Sequence, residues 1–405
     1  MNKLITLLIS LLITNIILSQ SQWETIGTLP ATDVKTCKSI NNNIFLGTNL
    51  GVYVSTNDGV NWVLKNNGIS SSLYIISIAN NGTNIFCSNI DYDVYSSTND
   101  GNNWTSVTNN LTGVDPILFY NNKLYATTTA GFFISTNSGG TWINKSTNIP
   151  FVFEYLADGS MLFIATMNGV KLTTDDGINW ISKNDGLTDL DISDLYLVGT
   201  DIFLCGWNGV YKSTNNGDYW FPKTNGLATE WAAKVIRQIE KYQNKFIALR
   251  FTDVYMSTNN GELWGRASDG LPTNSPYLRC MVINNNYLYA FGTAGGLTTI
   301  YKRNLDIMTS TINSNNVVNN YHLYQNYPNP FNPSTKIKFD IPKSSNIKIS
   351  VYDIAGKEIS ILVNQKVSSG SYEVQFNGEK YSSGIYFYKL ESDDFVQTNK
   401  MILLK

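Results

Sequence analysis

The chain has 405 residues and a formal charge of −2, and 13% of its residues are aromatic while only 15% are charged. Its single histidine, His322, lies in a polar stretch that we place between two folded regions, which excludes a Ser-His-Asp triad, a Cys-His dyad and a histidine-ligated zinc site. No basic patch is present, so we expect no nucleic-acid partner. The many Asn, Ser, Thr and Gly residues favour strands and tight turns over helices.

The N-terminal segment is typical of a secretory signal peptide. Lys3 precedes a largely apolar stretch from Leu4 to Leu18, and the polar run Ser19-Gln20-Ser21-Gln22 follows it. The stretch is shorter than the roughly 20 residues that a permanent membrane-spanning helix needs. We therefore predict a signal peptide at residues 1–20, cleaved near residues 19–22, and no transmembrane segment.

A five-residue motif, followed three positions later by Trp, recurs six times after the signal peptide. Its successive offsets are 42, 38, 38, 40 and 44 residues. In each copy a hydroxyl and the Asn or Asp two positions later can accept hydrogen bonds from turn amides, and the glycine allows a positive φ. The residues to which we assign this structural role are Ser55, Asn57, Gly59, Trp62, Ser97, Asn99, Gly101, Trp104, Ser135, Asn137, Gly139, Trp142, Thr173, Asp175, Gly177, Trp180, Ser213, Asn215, Gly217, Trp220, Ser257, Asn259, Gly261 and Trp264.

Short apolar strands flank each motif, so a repeat is predicted to form four antiparallel strands, the unit of a propeller blade. The motif resembles that of the Asp-box, or bacterial neuraminidase repeat, family, whose pattern is Ser/Thr-x-Asp/Asn-x-Gly-x-x-Trp. The resemblance implies an all-β fold with a β-propeller at residues 22–304. It also implies that the motifs are folding elements on the outer rim, away from the face that binds ligands.

The two ends of the repeat region determine the number of blades. Trp23 to Ile26 resembles a strand that follows a motif, whereas residues 277–303 offer three strands without a motif or a later Trp. We predict that the N-terminal strand completes the last blade and closes a ring of seven, which leaves no open sheet. Six or eight blades remain alternatives.

The four cysteines have no CxxC spacing. Cys37 and Cys280 share one register in neighbouring blades, but equivalent residues point the same way around the ring, which disfavours a disulfide. Cys87 and Cys205 fall in blades that are too far apart to pair. We predict four buried free thiols, no metal site and no cofactor.

Beyond residue 304 the repeat stops, and we predict a linker at residues 305–323 and a small β-sandwich of immunoglobulin type at residues 324–405. The segment that begins Asn-Tyr-Pro-Asn-Pro-Phe-Asn-Pro closely resembles the type A C-terminal sorting domain of the type IX secretion system. Phe376 departs from that pattern, which usually has Trp at this position. The residues that carry the sorting signal in this resemblance are Pro328, Asn329, Pro330, Gly356, Gly370, Tyr372, Gly384, Tyr386, Lys400 and Lys405.

This resemblance implies two partners for the chain. The outer-membrane translocon of the type IX system recognises such domains, and a sortase-like protease then removes them. Here we expect the cut within residues 305–323. The product is expected at the cell surface or in the medium.

The function of the propeller is less constrained, because this fold hosts many activities. Sialidases need an arginine cluster and an N-terminal Arg-Ile-Pro motif, yet all five arginines lie at or after Arg237, so we exclude that activity. Aromatic residues in loops opposite the motifs can stack on sugars or anchor a protein. The candidates are Tyr92, Phe151, Trp207, Trp231, Phe251 and Tyr277.

We therefore expect a non-catalytic propeller for adhesion or for binding a glycan or a surface protein. The alternative is a secreted glycoside hydrolase that uses paired carboxylates, which needs no histidine. Its candidate residues are Asp91, Asp93, Glu230 and Asp253, all in loops on the same side as the aromatic candidates.

Overall fold

A computed structural model of the chain describes residues 22–109, 111, 116–146, 149, 151–227, 235–272, 277–294, 296–308, 310, 320–343, 345–367 and 370–405. Every regular element in these residues is a β-strand, so the predicted all-β class is confirmed. The chain divides into two compact units, one of residues 1–258 and 265–311 and the other of residues 259–264 and 312–405, which we call the N-terminal and the C-terminal unit. Within the described residues, no helix is long and apolar enough to cross a membrane.

The N-terminal unit begins with strand β1 (Glu24–Leu29) and continues with six sheets of four consecutive antiparallel strands each. These sheets are β2 (Val34–Ile40), β3 (Asn43–Thr48), β4 (Gly51–Ser55) and β5 (Val63–Leu64); β6 (Ile75–Asn80), β7 (Ile85–Asn89), β8 (Val94–Ser97) and β9 (Thr105–Ser106); β10 (Ile117–Tyr120), β11 (Lys123–Thr128), β12 (Gly131–Ser135) and β13 (Ile143–Ser146); β14 (Val152–Asp158), β15 (Met161–Thr166), β16 (Gly169–Thr173) and β17 (Ile181–Ser182); β18 (Ile192–Val198), β19 (Asp201–Gly206), β20 (Gly209–Ser213) and β21 (Phe221–Pro222); and β22 (Gln238–Tyr242), β23 (Lys245–Leu249), β24 (Val254–Ser257) and β25 (Gly265–Arg266).

A seventh four-stranded sheet joins the two ends of this unit. It contains β26 (Tyr277–Asn284), β27 (Tyr287–Ala294) and β28 (Leu297–Asn304), with β1 at its outer edge. Glu24 pairs with Lys302 and Leu29 pairs with Thr298. The N-terminal strand thus completes the last sheet, as the position of Trp23 predicts.

The core of the N-terminal unit lies between successive sheets. The second strand of a sheet is fully buried, as in β7, because neighbouring sheets cover both of its faces. Phe163 and Ala165 of the fourth sheet, for example, share a cluster with Leu195 and Leu204 of the fifth. Contacts between first strands run from β2 to β6, from β18 to β22 and from β22 to β26, and β26 returns to β2.

The connections between strands leave each sheet at two opposite ends. The motif joins the third strand to the fourth, at the same end as the turn between the first and second strands. The turn between the second and third strands and the connection to the next sheet lie at the other end. We call the end that carries residues 56–62 and their equivalents the motif face, and the other end the opposite face.

Side-chain hydrogen bonds hold each motif turn. The Ser55 Oγ accepts the Gly59 N–H at 2.9 Å, and the Asn57 Oδ1 accepts the Asn61 N–H at 2.9 Å. Gly59 has a φ of 79°, a conformation that favours glycine. The same two bonds recur in the motifs that begin at Ser97, Ser135, Thr173 and Ser213.

Some motif tryptophans also tie their sheet to the preceding one. Their backbone N–H donates to a carbonyl in the turn that follows the preceding sheet, at 2.8 Å in each case. A Cβ on Gly186, in one such turn, would lie 2.2 Å from the Trp220 carbonyl oxygen, so this approach needs glycine. The bonded pairs are Trp104 with Asn67, Trp220 with Asp185 and Trp23 with Asp269.

The C-terminal unit is built from two sheets. One has the order β29-β30-β33 and the other β32-β31-β34-β35, and Phe331, Ile337, Ile349, Tyr388 and Leu403 are among the residues of their common core. Its strands are β29 (His322–Leu323), β30 (Ser334–Ile341), β31 (Ser345–Tyr352), β32 (Glu358–Val367), β33 (Gly370–Asn377), β34 (Gly384–Glu391) and β35 (Val396–Leu403).

The structure corrects both ends of the predicted linker 305–323. Leu305 and Met308 are buried in an apolar cluster of the N-terminal unit. His322, which we placed in a polar stretch outside the folded regions, lies in β29 and pairs with Asp340. The sequence does not predict this strand, because its neighbours in the chain are polar and it has no hydrophobic pattern of its own. β29 forms because its backbone pairs with β30.

Candidate functional site

The described members of the predicted aromatic set lie in connections or at the start of a strand on the opposite face. Tyr92, Phe151 and Trp207 come from the second, fourth and fifth sheets. Phe151 packs edge-on against Phe153, with ring centroids 5.1 Å apart. Trp231 lies outside the described residues. Phe151 thus packs against a residue two positions along the chain.

Phe251 and Tyr277 are the pair that the structure does bring together. Their ring centroids are 5.7 Å apart with an interplanar angle of 88°. The Arg237 guanidinium lies over the Phe251 ring, 4.8 Å from its centroid, which is a cation–π geometry. Tyr277 is 60% exposed, so one part of this group is open to solvent.

A second arginine lies beside this group at the start of β26. The Arg279 Nε is 3.5 Å from the Asp33 Oδ1, and Lys35 is 3.2 Å from the Asp33 Oδ2. Burial lowers the pKa of Arg237, and the nearby Arg279 charge lowers it further. The two arginines thus repel each other on the opposite face. Sequence reasoning used the position of the arginines only to exclude a sialidase and missed this cluster.

The carboxylates predicted for a glycoside hydrolase are already engaged where they are described. The Asp91 Oδ2 accepts the Ser72 N–H at 3.0 Å, and the Asp93 Oδ1 accepts the Thr108 hydroxyl at 3.1 Å. Glu230 lies outside the described residues. Asp91 and Asp93 both shape the turn of the second sheet.

Asp253 is held even more firmly. Its Oδ2 is 3.2 Å from the Arg250 guanidinium, and its Oδ1 is 2.7 Å from the Arg266 Nε. The Ser268 hydroxyl donates to Oδ1 as well, at 3.2 Å. Two cations and a hydroxyl occupy both oxygens of this carboxylate, so it is suited to holding the turn between β23 and β24.

Four charged residues on the innermost strands form a cluster that the sequence did not reveal. Lys38, Glu154, Asp194 and Glu240 come from the first, fourth, fifth and sixth sheets. Glu154 is the main cause of the raised pKa of Lys38, although the first and fourth sheets are not neighbours in the chain. The side chains therefore interact across the space that the innermost strands surround.

Burial raises the pKa of two carboxyl groups in this cluster. It raises the pKa of Asp194 well above its usual range, with a further increase from the Glu154 charge. It also raises the pKa of Glu240 to about 7. Asp194 is fixed by a hydrogen bond at 2.8 Å from the Ile239 N–H of the next sheet, and Glu240 accepts one at 3.0 Å from the Gln238 amide. A carboxyl group with a pKa near neutrality can exchange protons at physiological pH.

We expect Glu240 to make the protein less stable as the pH rises from about 4.5 to about 7. In this range the folded state keeps the proton that the unfolded state releases, because the pKa is raised on folding from 4.5 to about 7. Urea unfolding at about pH 4 and about pH 8 should show Glu240→Gln gaining stability relative to the unmodified protein only at the higher pH. A stability difference that is equal at both pH values contradicts this assignment.

No group of three or more His, Cys, Asp or Glu in the described part of the chain could hold a metal ion. All four cysteines are buried and carry free thiols. Cys37 and Cys280 lie in one apolar cluster between the first and seventh sheets.

The predicted sorting-signal residues are spread over the C-terminal unit. Gly356 has a φ of 79° in the turn between β31 and β32. The Tyr386 hydroxyl donates to the Ser382 carbonyl at 2.7 Å, and Lys405 donates its backbone N–H to the Ser383 hydroxyl at 3.0 Å. The others are Pro328, Asn329 and Pro330 before β30, Gly370 and Tyr372 in β33, Gly384 in β34 and Lys400 in β35.

Residues 325–404 match the family model of the secretion system C-terminal sorting domain. The C-terminal unit is a sorting domain. The sorting domain places the chain on the type IX export route, by which it reaches the cell surface or is secreted. No curated protein matches the chain.

Solved structures show the fold of the N-terminal unit that precedes the sorting domain. YCF48 bound to D1 peptide aligns with a TM-score of 0.56 and 14% identity, over 69% of this chain and 94% of that one. PorZ, a surface component of the type IX secretion system of Porphyromonas gingivalis, aligns with a TM-score of 0.52 and 14% identity, over 92% of this chain and 60% of PorZ. A GH74 xyloglucanase from Xanthomonas campestris aligns with a TM-score of 0.55 and 11% identity, over 79% of this chain and 59% of the enzyme.

These likenesses identify the fold as a β-propeller. The sequence identities of 11–14% are too low to assign the activity of any of these proteins to this chain. The aligned structures include a surface component and a glycoside hydrolase. The choice between binding and catalysis therefore depends on the residues of this chain.

Proposed function

We propose that this chain is a non-catalytic binding or adhesion protein whose propeller is delivered to the cell surface or the medium by its sorting domain. The match of residues 325–404 to the sorting domain carries this proposal. A sortase-like protease then removes the domain by cutting within the segment between the two units. The signal peptide at residues 1–20 starts this route.

The propeller in this proposal is a seven-bladed Asp-box propeller. Seven four-stranded sheets follow one another, and the seventh contains strands from both ends of the unit. The hydrogen bonds of the motif turns agree with a structural role for the motifs. The two-sheet arrangement of the C-terminal unit agrees with an immunoglobulin-like sandwich.

The ligand face in this proposal is the opposite face. It combines the exposed Tyr277 ring with the Phe251 ring and two arginines. Aromatic and arginine side chains are the residue types that contribute most to binding. The three described carboxylates of the predicted hydrolase are engaged in hydrogen bonds or ion pairs, which favours binding over catalysis.

The test compares binding with turnover. The exported protein is purified from the medium and added to xyloglucan and to polygalacturonate, and both retention on the polymer and release of reducing ends are measured. We expect saturable retention without new reducing ends. New reducing ends that appear in proportion to the protein contradict the non-catalytic proposal.

One observation favours a hydrolase as the second candidate. Glu154, Asp194 and Glu240 place three carboxyl groups in one cluster, and the pKa of Glu240 is raised to about 7. Paired carboxyl groups with different proton affinities are what glycoside hydrolysis needs. In that case Glu240→Gln and Asp194→Asn should each abolish reducing-end release while retention on the polymer persists.

A further inference from the structure

The five arginines of the chain differ in how their charge is balanced. Arg250 and Arg266 both pair with Asp253. Arg303 is buried and donates to the Ala267 carbonyl. These three arginines have structural roles. Arg237 and Arg279 remain, and both lie at the starts of first strands on the opposite face.

Arg237 has no carboxylate within ion-pair distance in the described part of the chain. Its guanidinium contacts the Phe251 ring and lies near the like charge of Arg279, which helps to lower its pKa. Half-buried guanidinium groups normally pair with an anion, since a buried unpaired charge is costly. An anionic group from outside the chain would remove this repulsion.

Asp33 does not neutralise the pair. Its contact with Arg279 is long, at 3.5 Å, and the same carboxylate also accepts a hydrogen bond from Tyr74 and pairs with Lys35. Among the described residues, Lys35, Arg237 and Arg279 thus share the one carboxylate of Asp33. Residues 324–405 contain ten lysines and eight acidic residues, so residues 1–323 carry a formal charge of −4. A positive site on a negatively charged unit indicates selection for an anionic ligand rather than a general basic surface.

From these observations, and resting on the proposed binding function, we propose that Arg237 and Arg279 form a carboxylate subsite for a glycan that contains uronic acids. The guanidinium groups bind the sugar carboxylate through charge-assisted hydrogen bonds. The exposed Tyr277 ring, set edge-on to Phe251, leaves a face on which the apolar side of a sugar ring stacks.

A glycan fits this site better than an extended peptide does. Peptides commonly bind by adding a strand to an open sheet edge. Where the structure describes them, the outer strands of the first six sheets are two to four residues long. The first strands, at the inner edges, face the space that they enclose. A sugar needs no open sheet edge, because its carboxylate and one face of its ring are enough to bind the arginines and the Tyr277 ring.

The binding test uses the purified exported protein and isothermal titration with trigalacturonate and with its methyl ester, which lacks the negative charges. We expect the acid to bind more tightly than the ester. Arg237→Gln and Arg279→Gln should each weaken binding of the acid by roughly tenfold or more, as for loss of a charge-assisted hydrogen bond. Lys183→Gln removes the same charge from a residue paired with Asp218 at a motif, and should leave binding unchanged.

A substitution of the opposite sign separates recognition from folding. Asp33→Asn removes the carboxylate that competes for Arg279, so it should tighten binding of the acid. Damage to the fold cannot produce that gain. Arg279→Lys keeps the charge but loses the planar fork, and an intermediate affinity is expected. Thermal unfolding of each variant shows whether the propeller is intact.

The proposed subsite is wrong if trigalacturonate and its methyl ester bind with equal affinity. It is also wrong if Lys183→Gln weakens binding as much as Arg237→Gln does. Binding of a peptide free acid, but not of trigalacturonate, that depends on Arg237 overturns the subsite as well. In each of these cases, retention on xyloglucan leaves the proposed binding function standing. Loss of retention on every polymer, with the propeller folded, overturns both.

Discussion

Leu403→Asp is expected to abolish export, whereas Leu404→Asp is expected to leave it intact. These neighbouring leucines differ sharply in burial, because Leu403 is 0% exposed and Leu404 is 52% exposed. Leu403 ends β35 within the core of the sorting domain. A carboxylate there would have to be buried without a partner, which unfolds a small domain.

The measurement is the amount of protein in the medium and at the cell surface against the amount in the periplasm. Leu403→Asp should accumulate in the periplasm with no detectable surface form. Leu404→Asp has the same charge at an exposed position and serves as the matched control. Equal export of the two variants would contradict the view that export requires a folded sorting domain.

Trp220→Ala is expected to lower the free energy of unfolding of the propeller by about 3–5 kcal/mol, the usual cost of removing a buried large aromatic residue. Trp220 is 0% exposed. Its Nε1 donates to the Lys183 carbonyl at 2.8 Å, and its backbone donates to Asp185. Trp220 therefore joins two sheets. Loss of its side chain leaves a cavity and removes the donor to the Lys183 carbonyl, whereas the backbone bond to Asp185 remains.

Trp62→Ala is the control for this effect. Trp62 occupies the same motif position but is only half-buried, and its Nε1 donates to Gly59 within its own turn at 3.0 Å. We expect a clearly smaller loss of stability. Eight of the nine tryptophans lie in the N-terminal unit, so tryptophan fluorescence during urea unfolding reports mainly on the propeller. If both variants lose the same free energy of unfolding, burial of the Trp220 side chain does not account for its contribution to the stability of the propeller.

The sheets could be predicted from the sequence because their signals are local. Each motif turn uses residues within four positions of each other, such as Ser55 and Gly59. The closure by β1 was also predictable, because Trp23 stands where a motif tryptophan should and residues 277–303 lack one. Local hydrogen bonds and a regular period are visible in a single sequence.

The charged cluster could not be predicted from the sequence, because its members are not local in the chain. Lys38, Glu154, Asp194 and Glu240 are far apart in the chain, and each alone is an ordinary charged residue in a strand. Only the packing of sheet on sheet brings them into electrostatic contact. A charged residue near the middle of each of four first strands was the one available signal.

The site formed by Arg237 and Arg279 could not be predicted from the sequence for a different reason. Its members come from the connections before β2 and β22, from the turn between β23 and β24 and from the start of β26. They meet only when the sixth, seventh and first sheets pack side by side. The sequence showed that the arginines are late in the chain, and reasoning from a family pattern used that fact only as an exclusion. Which arginines are already paired, as Arg266 is with Asp253, depends on side-chain geometry.

The intact mass and location of the mature protein test the central claim most directly. They are compared between secretion-competent cells and cells that lack the type IX translocon. We expect a product that begins near residue 20 and ends between residues 309 and 320, found at the surface or in the medium and absent there from the mutant. A protein that retains residues 324–405 in both strains would contradict the account and make the C-terminal unit part of the working protein.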